Sequence, residues 1–187
     1  DALLIGREAF DAKPSWALPP ETLAKLRGIV VFEQSSNVLN NRFGFRVTEW
    51  GAREGFVRTP EHPVMAGFPQ ELLANWRGDA TLTPGSSPAN AFDSAFPRSV
   101  WNGFDLPRVW RRGNRNAVAS VLIEKPSRGN WLPLVDCGFD LQYTPLLEHQ
   151  EAGQRILFCQ MDLSGRTEND PAAAALLRRI ADYIQRA

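Results

Sequence analysis

Glu33 follows the apolar run Ile29-Val30-Val31-Phe32, and Asp162 stands just past a second run, Ile156-Leu157-Phe158-Cys159. Ligands of open α/β folds collect beyond the carboxyl ends of such strands, so both carboxylates are expected to open onto one crevice. Two facing carboxyls can serve as general acid and base, or as nucleophile and acid, in glycoside hydrolysis; their separation decides which. The same groups can instead accept hydrogen bonds from backbone amides at nearby helix starts, where negative charge is favoured. Of the two, the capping role carries more weight.

Three amides, Gln34, Gln142 and Gln160, fall near strand ends and suit recognition of hydroxyls. They serve equally as buried ties between loops. Arg166 can hold a carboxylate or sugar hydroxyls, or an internal partner such as Glu148 or Asp162. Among the six tryptophans, Trp101 sits beside a long polar stretch and is the best candidate for an exposed sugar-stacking ring, followed by Trp110 and Trp131. Core and interface anchoring is the alternative use of all six. His62, before Pro63, reads as a loop-fixing hydrogen bonder. His149 and Glu148 are neighbours on a strand and point to opposite faces, so they form no proton relay. With two histidines and no ligand spacing around Cys137 and Cys159, neither a metal nor a cofactor is expected.

These residues need a scaffold, and 187 residues suffice for one domain with a substantial core. Lys+Arg and Asp+Glu both number 21, giving zero net charge. General attraction to nucleic acid or to an anionic membrane is therefore not expected. The local cluster Arg108, Arg111, Arg112 and Arg115 around Trp110 reads as a solvated or salt-bridged face. No apolar run approaches the roughly 20 residues of a membrane-spanning helix. The chain opens at Asp1 and enters a strand at once, which reads as a piece of a longer polypeptide, so targeting signals are not judged.

Leu3 to Gly6 reads as a buried strand, Pro20 to Arg27 as a helix, and Ile29 to Phe32 as a second strand; together they make one βαβ unit. Ser35 or Ser36 caps a short helix over Val38 and Leu39. Arg46 to Trp50 and Gly55 to Arg58 alternate as exposed strands, and a short helix follows at Gln70 to Trp76. Pro84 to Pro97 is a surface excursion. Val109-Trp110, Val118 to Glu124, Trp131 to Val135 and Leu141 to Tyr143 form a β-meander, with turns at Gly113-Asn114 and Arg128-Gly129-Asn130. Arg155 to Gln160 is the last strand. Asp170-Pro171 opens a final helix whose stripe is Ala174, Leu177, Ile180, Ala181 and Ile184. The fold expected is α/β and three-layered, with a mostly parallel central sheet and an added antiparallel meander.

The tracts Leu4-Ile5-Gly6-Arg7-Glu8-Ala9-Phe10, Val31-Phe32-Glu33-Gln34, Glu61-His62-Pro63-Val64, Trp76-Arg77-Gly78, Glu124-Lys125-Pro126, Gln142 to Glu148 and Phe158-Cys159-Gln160-Met161-Asp162 span most of the chain. On these tracts it resembles degenerate class I glutamine amidotransferase-like (flavodoxin-like) domains inside bacterial glycoside-hydrolase-type proteins, related to the oligomerising domain of some β-galactosidases. The resemblance implies a domain lacking the strands that usually precede the first one here. Active members place a cysteine on a strand-to-helix elbow and a histidine after a later strand. Here the elbow reads Phe32-Glu33-Gln34-Ser35 and the later strand ends in Gln160-Met161-Asp162, so both triad members are missing. The function implied is a non-catalytic module of a carbohydrate-active bacterial protein, serving assembly or active-site framing. Its partners would be other domains of the same polypeptide or further copies, and carbohydrate. A glycoside hydrolase using Glu33 and Asp162, and a carbohydrate-binding module, are the alternatives. The compartment stays open between bacterial cytoplasm and periplasm.

Overall fold

The computed structural model describes residues 2–78, 80–82, 98–107 and 115–186. Along the chain run β1 (Ala2–Ile5), α1 (Ala9–Ala12), α2 (Pro20–Leu23), β2 (Gly28–Phe32) and α3 (Ser36–Asn41), then β3 (Val47–Ala52), β4 (Gly55–Val57) and a 3-10 turn at Gln70–Leu73. The second half holds β5 (Arg98–Trp101), β6 (Phe104–Pro107), β7 (Ala119–Glu124), β8 (Trp131–Cys137), β9 (Tyr143–Glu151), β10 (Gln154–Cys159) and α4 (Pro171–Gln185).

The result is a mixed α/β fold. Its central sheet follows the order β1-β2-β10-β9-β7-β3, with β8 pairing both β9 and β4. Parallel ladders join β1 to β2 and β2 to β10. The ladders β10–β9, β9–β8, β9–β7, β8–β4 and β7–β3 are antiparallel. The expected βαβ opening is therefore present, and the antiparallel part reaches further than an added meander. β9 is the hinge of that part: it runs nine residues and contacts three strands.

Alternation along the inner strands builds one core on each face of the sheet. Val30, Phe32, Leu157 and Cys159 face α4 and the 59–76 region, where Trp76, Leu176 and Ile180 pack. Ile29, Val31, Ile156 and Phe158 face the opposite way, toward Phe10, Leu39 and Phe45. Ser35 caps α3 by accepting the Val38 N–H at 3.3 Å. Asp170 caps α4, one oxygen taking the N–H groups of Ala172 and Ala173 and the other that of Arg77 at 2.8 Å. The buried stripe of α4 is Ala172, Ala173, Leu176, Ile180, Tyr183 and Ile184. It is rotated from the expected one: Ala174, Leu177 and Ala181 are only half-buried. Tyr183 can turn inward because its hydroxyl finds an acceptor inside.

Two hairpins were not anticipated from the pattern. β5 and β6 meet across Asn102-Gly103, both at positive φ, and β9 and β10 meet across Ala152-Gly153, also both positive. Two such residues are what a type I′ turn requires. The expected excursion Pro84 to Pro97, strand Val109-Trp110 and turn Gly113-Asn114 lie outside the described residues.

Candidate functional site

β2 and β10 run parallel with Cys159 opposite Phe32, so their carboxyl ends open at one edge of the sheet. Glu33 and Gln34 leave β2 there; Gln160 and Asp162 leave β10. All four residues are buried, Glu33, Gln34 and Asp162 completely. The two carboxylates predicted to share this edge do share it, close enough for the charge of Asp162 to act on Glu33.

Both are fully engaged. Glu33 accepts the backbone N–H of Ser164 at 2.7 Å and its hydroxyl at 2.8 Å, one on each oxygen. Asp162 accepts the N–H and hydroxyl of Thr81 at 3.2 and 2.9 Å, and the Ser120 hydroxyl lies 2.7 and 2.6 Å from its two oxygens. The donors belong to loops and to β7. This corrects the expected capping role in its location: the amides bound are not helix starts, and the carboxylate that caps a helix is Asp170.

Burial pushes the Glu33 carboxyl up to about 7, against the two Ser164 hydrogen bonds that favour its charge. Burial also raises Asp162, offset in part by Ser120, Thr81 and the positive charge of Arg166. Arg166 is itself buried, and its Nη1 donates to the Ala117 carbonyl. Of the two internal partners considered for it, Asp162 is the one it faces.

Gln34 behaves as a tie. Its Nε2 donates to the carbonyls of Gly6 at 2.8 Å, Glu33 at 3.1 Å and Phe32, while its Oε1 accepts the Phe10 N–H at 3.3 Å. Gln160 Oε1 accepts the Gln34 N–H at 3.1 Å, lashing the two strand exits together. Its Nε2 is buried, with no hydrogen-bond acceptor among the described residues. Gln142 does not join the group: its side chain is exposed, and its carbonyl accepts the Lys125 N–H at 3.0 Å.

Neither thiol lies in a reactive setting. Cys159 points into the core from within β10, and burial, with Glu33 and Asp162 nearby, raises it well above the usual range. Burial likewise raises Cys137 in β8. A thiol kept protonated is a poor nucleophile. Among the described residues, no group of three His, Cys, Asp or Glu side chains is placed to hold a metal ion. No helix among them is long and apolar enough to cross a membrane.

Of the candidate sugar platforms, Trp131 packs against His149 with ring centroids 4.4 Å apart and against Phe45 at 5.2 Å. The Trp101 side chain lies outside the described residues, as do Trp110, Arg108, Arg111 and Arg112.

A second polar group escaped the sequence reading. His62 Nε2 stands 2.7 Å from Glu148 Oε2, and the Tyr183 hydroxyl and Gln150 Nε2 donate to Glu148 Oε1 at 2.7 and 3.0 Å. His62 Nδ1 accepts the Val64 N–H at 3.3 Å, which puts the ring proton on Nε2, toward Glu148. Burial alone would raise Glu148, but the bonds from His62, Tyr183 and Gln150 outweigh it and hold the carboxyl below its ordinary value. Nδ1 is taken by the Val64 N–H and Nε2 lies at ion-pair distance from Glu148, so the group is a strut between loop, sheet and α4. The available signal was Glu148 itself, a charge inside an apolar strand that demands partners.

Comparison with protein-family models, curated proteins and solved structures finds no match for the chain.

Proposed function

We propose that this chain is a non-catalytic amidotransferase-like module of a carbohydrate-active protein, contributing assembly or the framing of a neighbouring active site. The observation that carries the reading is that both oxygens of Glu33 and of Asp162 already accept protein donors. Each is completely buried and already bound to loop donors, so neither is offered to a substrate. Two further facts support it. The thiols sit in the core, and the imidazole of His62 is buried against Glu148. Apolar surface also remains: Leu4 on β1 is 57% exposed, and Phe139 and Leu141 are exposed together. Among the described strands β1 pairs on one side only, leaving an edge that another domain or copy can cover.

The test joins turnover with assembly. The chain should hydrolyse neither glutamine nor aryl glycosides, and sedimentation equilibrium should show self-association, or binding to the rest of its polypeptide, that Leu4→Glu weakens. Glutamine turnover, or strict monomers that also ignore the remainder of the polypeptide, would overturn the reading.

One observation favours a second reading, a glycoside hydrolase. Glu33 keeps its proton up to about pH 7, as a general acid must. Aryl glycoside turnover lost in both Glu33→Gln and Asp162→Asn would establish it.

A further inference from the structure

A cavity of about 330 Å³ lies on the sheet face opposite α4. Its floor is Leu3, Ile5, Ile29, Val31, Ile156 and Phe158, the inward positions of three adjacent parallel strands. Phe10, Phe43 and Trp131 form its walls. The roof is Trp16, Ala17 and Leu18, within a stretch, 13–19, that has neither helix nor strand.

Protein interiors close-pack, and a roof without secondary structure should collapse onto an apolar floor unless something holds it off. Arg42 holds it. Its guanidinium donates to the carbonyls of Pro14 at 2.9 Å and Trp16 at 2.6 Å, and it lies 3.9 Å from the centre of the Phe10 ring. These partners fix the roof but carry no negative charge. Among the described residues no Asp or Glu lines the cavity, and Arg42, exposed at the rim, pairs with no carboxylate. His149 is the other titratable lining residue, and it rests against Trp131. An apolar chamber in the size range of small-ligand sites, with one unneutralised cation at its mouth, is matched to an apolar body ending in an anion.

We propose that this cavity binds a small amphipathic carboxylic acid, its acyl chain against the strand floor and its carboxylate on Arg42. The cavity shares no residue with Glu33 or Asp162, so binding here stands or falls apart from the role of that edge.

Trp16 and Trp131 line the chamber, so intrinsic fluorescence reads its occupancy. Decanoate, titrated below its micelle concentration, should give a saturable one-site change, and methyl decanoate should bind at least tenfold more weakly. Arg42→Gln should weaken decanoate at least tenfold and abolish that preference, whereas Arg42→Lys, which keeps the charge, should retain it. Absence of saturable decanoate binding would overturn the proposal. So would equal affinity for acid and ester in the unaltered protein, a comparison that stands even if the Arg42 variants fail to fold.

Discussion

Glu33 takes both the backbone N–H and the hydroxyl of Ser164, at 2.7 and 2.8 Å, so one buried carboxyl pins the loop after β10 to the exit of β2. Asp162, two residues before Ser164, pins the same loop to Thr81 and Ser120. The carboxyl edge of the sheet is thereby closed by its own acids. In an open α/β fold that edge is where a ligand would enter.

Removing the hydroxyl with Ser164→Ala leaves one oxygen of a buried carboxyl without its donor. The loss should be about 1–2 kcal/mol, read as a lowered urea midpoint with an unchanged slope. An unaltered midpoint would show that water replaces the hydroxyl.

Tyr183→Phe tests the Glu148 strut. It deletes a hydrogen bond to a buried carboxylate and should cost about 1.5–3 kcal/mol. The pH dependence follows from Glu148, which is held below its ordinary value of 4.5. Its contribution is present above that value and is lost as pH falls through the depressed folded-state value. Urea unfolding between pH 3 and 6 should show the mutant and the unaltered protein converging toward the acid end.

The β9–β10 hairpin turns on Ala152 at φ 49° and Gly153 at φ 79°. The left-handed region is unfavourable for alanine by about 1 kcal/mol and tolerated by asparagine. Ala152→Asn should therefore raise the melting temperature by a few degrees. A fall would mean that the exposed turn is constrained by something other than its backbone.

What was legible in the sequence was local. The Ser35 cap, the β1–β2 unit and the last strand and helix each announce themselves within a few residues, and each is present. Placing Glu33, Gln34, Gln160 and Asp162 together needed only the rule about strand ends. The rest depended on partners far along the chain. In the sequence β9 shows only a stub at Leu141 to Tyr143, because Pro145 and Glu148 interrupt its pattern. Glu148 belongs there only because His62 and Tyr183 meet it from a loop and a helix. The rotation of α4 has the same origin, since a tyrosine at an inward position looks wrong until its acceptor is known. Asn102-Gly103 was different: the turn signal stood in the sequence, but weak flanking strands masked it. Gln142 shows the opposite error, a strand-end residue facing solvent.

The central claim is that Glu33 is a buried clamp at a closed edge of the sheet, and the pH dependence of its contribution tests it most directly. With a folded-state value of about 7 against an ordinary 4.5, Glu33 imposes no penalty below about pH 4.5. Between 4.5 and 7 the unfolded chain loses its proton first, so stability falls as pH rises, by about 3 kcal/mol in all. Glu33→Gln keeps the shape and the Ser164 contacts of the protonated form but cannot ionise. Urea unfolding of the two proteins from pH 4 to 8 should therefore show them level near pH 4, Glu33→Gln pulling ahead between pH 4.5 and 7, and a constant margin above that. A stability difference that stays flat across that range would mean Glu33 reaches solvent, and the account of a closed edge would fail.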